Sequence, residues 1–109
     1  MYEYKAKVLK VIDGDTIECE VDLGFHIKIT ERFRLLYVNA PETKGESKPK
    51  GEEAKQHLIE RINGKEITIK TQKDDAFGRW LAIILLEENG NLTNINEEMI
   101  KTGHAVPYL

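Results

Sequence analysis

The sequence predicts a mainly β fold of the α+β kind, a small closed Greek-key barrel of five strands carrying two helices. Three observations predict it. Five segments carry the alternating or continuous apolar character of strands, and the first three follow one another through short turns. One amphipathic segment with helical spacing falls between the third and fourth strands. A second, shorter helical segment follows the last strand, with a capping residue type before it and a glycine after it.

Along residues 2–12, Tyr4, Ala6 and Val8 alternate with Lys5 and Lys7, as in a half-buried strand. Asp13-Gly14 turns the chain, and Ile17, Cys19 and Val21 then alternate with Glu18, Glu20 and Asp22 in a second strand with an acidic outer face. After Leu23-Gly24, residues 25–38 read as one long third strand, with a bulge expected where the alternation changes around residues 31–33. The polar stretch 43–50, with Gly45 and Pro49, reads as a loop. A helix is expected over residues 52–62, because Ala54, Leu58 and Ile62 recur every four positions and Gly64 is placed to end it. Residues 66–71 alternate as a fourth strand, and residues 80–86 are apolar nearly throughout, which predicts a fifth strand covered on both faces. Asn89-Gly90 signals a hairpin, residues 92–95 pair back briefly, and Asn96 is expected to cap a last helix through Thr102, with Ile95 and Ile100 as a hydrophobic staple and Gly103 as its end. A meander of three strands, a helix and two further strands suggest a barrel of the OB type.

At 109 residues the chain has room for one domain with one modest core. Its 40% hydrophobic and 32% charged residues are those of a soluble globular protein, and no apolar run reaches bilayer length. The opening Met-Tyr-Glu-Tyr-Lys lacks a signal-peptide profile, so a cytoplasmic location is expected. The lone Cys19 excludes an internal disulfide. A net charge of −3 argues against a broad, non-specific grip on a polyanion, so any phosphate binding must be local. Lys44, Lys48 and Lys50 read as a solvated loop.

Three short motifs carry acids and arginines: Asp13-Gly14-Asp15-Thr16, the stretch from Arg34 to Pro41-Glu42, and Asp75-Ala76-Phe77-Gly78-Arg79. Each has a plain structural reading. Asp-Gly pairs make turns, and an EF-hand beginning at Asp13 would need its closing glutamate where Gly24 stands. His26, His57 and His104 lack metal-ligand spacing. Arg34 alternates onto the face of Leu36 and Val38, a face suited to burial, and an arginine there needs an anion, either an internal carboxylate or a phosphate. Glu42 reads alone as a loop or capping acid, and Arg79 as the first residue of a strand.

Taken together with Gly103-x-Ala105, these motifs closely resemble the staphylococcal nuclease (thermonuclease) family, over nearly the whole chain from Val8 to Ala105. The resemblance implies an OB-type barrel, hydrolysis of DNA and RNA phosphodiesters with one calcium ion, and 3′-phosphate ends. It implies Asp15 as a metal carboxylate, Asn39 where a second carboxylate usually stands, and the Ala40 carbonyl as a further ligand. Glu42 would position or deprotonate the attacking water, Arg34 and Arg79 would clamp the phosphate, and Tyr108 would stack on a base. Asn39, Ala76 and Phe77 depart from the family pattern, which has an aspartate, a lysine and a tyrosine there, and the lost charge at residue 39 predicts weaker calcium binding. Two other readings compete with the nuclease. One is a nucleic-acid-binding module of the same fold, and the other is a protein-interaction barrel.

Overall fold

A computed structural model describes residues 1–73 and 79–108. Strand β1 (Tyr2–Asp13) is followed by β2 (Thr16–Asp22), β3 (Lys28–Leu35) and the short β4 (Val38–Asn39). A single 3-10 turn at Gly45–Ser47 leads into helix α1 (Lys48–Ile62). Then come β5 (Glu66–Lys73), β6 (Trp80–Glu88), β7 (Asn91–Asn94), helix α2 (Ile95–Lys101) and β8 (Val106–Pro107).

The main sheet runs β3-β2-β1-β5-β6-β7, and a further pairing of β3 with β6 joins it into a barrel of five strands, with β7 outside the closure. The closing pair is parallel, Phe33 to Trp80 through Leu35 to Ala82, and the other strand pairs are antiparallel. Strand β1 serves two neighbours, pairing with β5 through Tyr2 to Lys7 and with β2 through Lys5 to Asp13. It bends to do so, with register shifts between Val8 and Lys10 and between Val11 and Asp13. This is the expected OB-type barrel with two helices.

The barrel interior is filled by Val8, Ile17, Cys19, Leu35, Ile69 and Ile84, and α1 covers it with Ala54, Leu58 and Ile62. Burial of a side chain such as Leu58 is worth roughly 1.5–3 kcal/mol. Burial also pushes the Cys19 thiol up to about 12, so it behaves as a small apolar core residue. At its far end α1 is tied by charge: Arg61 donates to both oxygens of Glu88 on β6, at 2.6 and 2.8 Å, and to both oxygens of Glu98 on α2, at 2.8 and 2.9 Å. No helix among the described residues is long and apolar enough to cross a membrane.

Several sequence expectations are corrected. The third strand covers Lys28–Leu35, not 25–38, because Phe25, His26 and Tyr37 all take positive φ (55°, 63° and 63°) and form turns at either side of it. Its pairing with β2 is unbroken from Lys28 to Arg34, so no bulge lies at 31–33; the register shifts are in β1. Phe33 and Leu35 are the inward residues of β3, which turns Arg34 outward, and the break at Leu36-Tyr37 resets the alternation so that Leu36 and Val38 do not share its face.

Helix α1 begins at Lys48, one turn before the expected start, because Pro49 fits the first turn where its missing N–H has no partner to lose. Strand β6 buries Ala82, Ile84 and Leu86 and leaves Leu81, Ile83 and Leu85 half-buried, so its second face is only partly covered. The cap of α2 is Asn94, whose side-chain oxygen accepts from Glu97 N at 3.0 Å, and with Ile95 as the first helical residue no Ile95–Ile100 staple forms. Asn96 is buried instead. Its amide donates to the carbonyls of Leu36 (3.1 Å) and Ala82 (2.9 Å) and its oxygen accepts from Ile84 N (3.0 Å), so it serves as a polar tie between strands.

Candidate active site

The barrel's pairings bring the three motifs to one end. Parallel pairing of β3 with β6 sets Arg34 opposite Leu81, and Arg79 immediately precedes β6. Pairing of β2 with β3 sets Thr16 opposite Arg34, and Leu35 N donates to the Asp15 carbonyl at 2.8 Å, which holds the Asp13–Asp15 turn against the end of β3. The αL turn at Tyr37 sends the chain back so that Asn39 can reach Arg34. Strand β8 pairs with β4, Asn39 opposite Val106, and brings Tyr108 over the same place.

The result is a polar cleft of about 290 Å³ lined by Asp13, Asp15, Thr16, Arg34, Asn39, Ala40, Pro41, Glu42, Arg79 and Tyr108. Every residue singled out in the sequence as a candidate ligand, acid, clamp or stacking ring lies on it. Asp75, Ala76, Phe77 and Gly78, the rest of the third motif, lie outside the described residues. A larger concavity of about 690 Å³ crosses β1, β2 and β5, where Lys5, Lys7 and Lys28 mix with Glu20, Asp22 and Glu66, and it holds none of the candidate residues.

Asp15 is the buried acid of the cleft. Its Oδ2 accepts from Ala40 N at 2.9 Å and from Arg34 Nη2 at 3.5 Å, and its Oδ1 accepts from Thr16 Oγ1 at 3.1 Å. Burial, then the hydrogen bond and charge of Asp13, push its carboxyl up to about 6, against the opposing pull of the Ala40 amide and Arg34. Arg34 also donates from Nη2 to Asn39 Oδ1 at 3.1 Å, and its guanidinium carbon lies 4.9 Å from the centre of the Tyr108 ring, a cation–π contact. The outward-turned Arg34 is thus paired with an internal acid and also lines the cleft. Glu42 and Arg79 are exposed at the cleft wall.

Beneath this wall α1 packs tightly against the cleft-forming segments. A Cβ at Gly14 would stand 2.7 Å from Ala54 Cβ and 2.8 Å from Ala40 Cβ, so the turn carrying Asp15 rests directly on the helix. Gly51 and Ser47 contact the Glu42 backbone in the same way.

The donors suit a hard cation: Asp13, Asp15, Asn39 and Glu42 offer side-chain oxygens as ligand atoms. No three His, Cys, Asp or Glu side chains among the described residues are grouped to hold a metal by themselves, so a cation here would also need the Asn39 amide, a backbone carbonyl such as that of Ala40, and water.

Asn96, Ser47 and Gly51 were not legible as site-supporting residues. The signal for Gly51 was a glycine within a helical pattern, hidden because the segment around Pro49 reads as loop.

The chain is thus an OB-type barrel with an acid-and-arginine cleft at one end, and comparison with known sequences makes the family specific. The sequence model described as staphylococcal nuclease homologue matches residues 32–109, and the chain belongs to that family. It is 33% identical to protein MJ1439 of Methanocaldococcus jannaschii over 97% of this chain and 60% of that protein. A Haemophilus influenzae protein described as an endonuclease is 31% identical over 94% of this chain and 51% of its own length. Endonuclease YhcR of Bacillus subtilis is 32% identical over 97% of this chain but only 9% of its own. The chain thus spans little more than half, or much less, of these relatives.

Proposed function

We propose that the protein is a calcium-dependent nuclease that hydrolyses phosphodiester bonds of DNA and RNA and leaves 3′-phosphate ends. The reading rests above all on the convergence of Arg34, Arg79, Asp15 and the exposed Glu42 on one polar cleft in a chain of this family.

In this reading Arg34 and Arg79 donate to the non-bridging oxygens of the scissile phosphate, where charge grows as the reaction proceeds. Both hydrogen bonds of Arg34 among the described residues start from Nη2, so Nη1 and Nε keep donors for an anion. The Glu42 carboxylate takes a proton from water as the water oxygen bonds to phosphorus. The bond from phosphorus to the 5′ oxygen breaks, and that oxygen leaves as a hydroxyl with a proton from solvent. Asp15, Asn39 and the Ala40 carbonyl would hold calcium, whose charge when bound offsets that of the phosphoryl oxygens. Loss of one phosphate clamp costs about 3 kcal/mol of barrier, by analogy with an oxyanion-hole donor. Tyr108, half exposed at the cleft, stacks on a base.

The test is cleavage of a labelled single-stranded oligodeoxynucleotide in calcium and in chelator. Calcium-dependent products with 3′-phosphate ends are expected; binding without cleavage would replace this reading with the nucleic-acid-binding module. That second reading is favoured by Asn39, which lacks the family's charge and turns its side-chain oxygen to Arg34.

A further inference from the structure

The segment that presents Glu42 sits on the first turns of α1 through two contacts. Ser47 Oγ lies 2.9 Å from the Glu42 carbonyl oxygen and 3.1 Å from that of Lys44, and its one proton is shared between them. Ser47 precedes the helix but makes no side-chain cap, so its hydroxyl is given to the loop instead. Gly51 is buried against the same peptide. A Cβ added there would overlap the Glu42 carbonyl oxygen and stand 2.9 Å from that of Pro41.

Glycine at this position is unfavourable for the helix. Within a helix it costs roughly 0.5–1 kcal/mol relative to alanine, and Gly51 is not among the glycines with positive φ, so it is not required by backbone conformation. Space is the requirement. The Glu42 peptide lies between Pro41, whose φ is fixed by its ring, and a helix that touches it with no intervening side chain.

We infer that Gly51 and Ser47 are positioning residues for Glu42: they latch its peptide to α1, so that its carboxylate reaches the cleft through side-chain torsions alone. This rests on the nuclease reading of Glu42 and deepens it. A methyl group at residue 51 pushes the 41–43 peptide off the helix, and misplacement of a reacting group by about 1 Å can cost on the order of 100-fold in rate.

The experiment compares Gly51→Ala, Ser47→Ala and, as a control on the exposed face of α1, Glu53→Ala, each alone and combined with Glu42→Gln. Single-turnover cleavage and affinity are measured with a single-stranded oligodeoxynucleotide in saturating calcium, and backbone amide shifts of Glu42 and Thr43 by NMR. Gly51→Ala is expected to slow cleavage at least ~10-fold with affinity within about two-fold, and to add no further loss to Glu42→Gln, because residues acting through one group are not additive. The Glu42 and Thr43 amide signals move in Gly51→Ala and stay in place in Glu53→Ala. A loss that persists undiminished in the Glu42→Gln background, or a full rate in Gly51→Ala, overturns the inference. Should the wild type cleave nothing, the nuclease reading fails while the amide shifts still decide the latch, and unmoved signals overturn it. Should Gly51→Ala not fold, Ser47→Ala carries the same test, with a smaller loss of about three-fold expected from one hydrogen bond and no loss overturning it.

Discussion

Arg34 donates from Nη2 to the side-chain oxygen of Asn39 at 3.1 Å and from the same nitrogen to Asp15 at 3.5 Å, so Asn39 is joined to the buried acid through one guanidinium. An asparagine oxygen can serve that arginine and can serve calcium, but it brings no charge to either. Asn39→Asp is therefore expected to lower the calcium concentration for half-maximal cleavage, with a smaller change in the saturated rate. A calcium titration of both forms measures it; an unchanged or raised midpoint would set residue 39 outside the calcium shell.

Asp15 gives a stability prediction for the metal-free protein. Its carboxyl is raised from 3.8 to about 6, so the folded state holds the proton more tightly than the unfolded chain. The stabilising contribution is complete below about pH 4 and is lost as pH rises through about 6. Protonated Asp15 resembles asparagine in shape and charge. Asp15→Asn should match wild type at pH 4 and exceed it by up to about 3 kcal/mol at pH 7.5 in chelator. Urea unfolding followed by Trp80 fluorescence checks this, and a wild type more stable than the variant at pH 7.5 would contradict it.

The Arg61 cluster has the opposite sign. Hydrogen bonds from Arg61, and then Thr93, lower the Glu88 carboxyl to about 2. Burial pushes Glu98 up, but hydrogen bonds from Arg61 and His57 outweigh it and leave that carboxyl below its ordinary value. The stabilisation from both is present above about pH 4.5 and is lost as pH falls through their lowered values, which for Glu88 is about 2. Arg61→Met should lower the urea midpoint at pH 7 and approach wild type near pH 2. An equal deficit at both pH values would mean that the arginine acts through packing.

Asn96 is expected to be among the costliest polar positions. Asn96→Leu would strip partners from Ile84 N and from the Leu36 carbonyl, each worth about 1–3 kcal/mol when left buried and unpaired, while the Ala82 carbonyl keeps its bond from Leu36 N. Thermal unfolding measures the loss, and a melting temperature equal to wild type would contradict the role as a strand tie.

The barrel was legible because its local patterns and its tertiary structure agree. Ile17, Cys19 and Val21 alternate in the sequence and are buried in the fold, and the four-residue spacing of Ala54, Leu58 and Ile62 is the face α1 buries. The Asn89-Gly90 hairpin was legible because both residues take the positive φ (51° and 82°) that the turn demands. The face of Arg34 was misread because alternation extends blindly through Leu36-Tyr37, where an αL tyrosine resets the phase, and no residue type there announces it. Asn94 and Asn96 are equally good caps by type, and only the Ile84 N–H and the Leu36 carbonyl, which take their partner from Asn96, decide which one turns inward. The cleft itself was legible because its residues flank strand ends, while the seat beneath Glu42 was not, since it depends on the distance between a helix and a loop.

In the proposed mechanism Glu42 activates water for attack on a phosphate held by Arg34 and Arg79. The most direct measurement is single-turnover cleavage of a labelled oligodeoxynucleotide in saturating calcium by wild type and Glu42→Gln, with affinity and melting temperature recorded for both. Calcium-dependent cleavage by the wild type is expected, slowed about 10²–10⁴-fold in Glu42→Gln, with affinity and melting temperature unchanged. Equal cleavage by the two proteins, or none by the wild type, would contradict it.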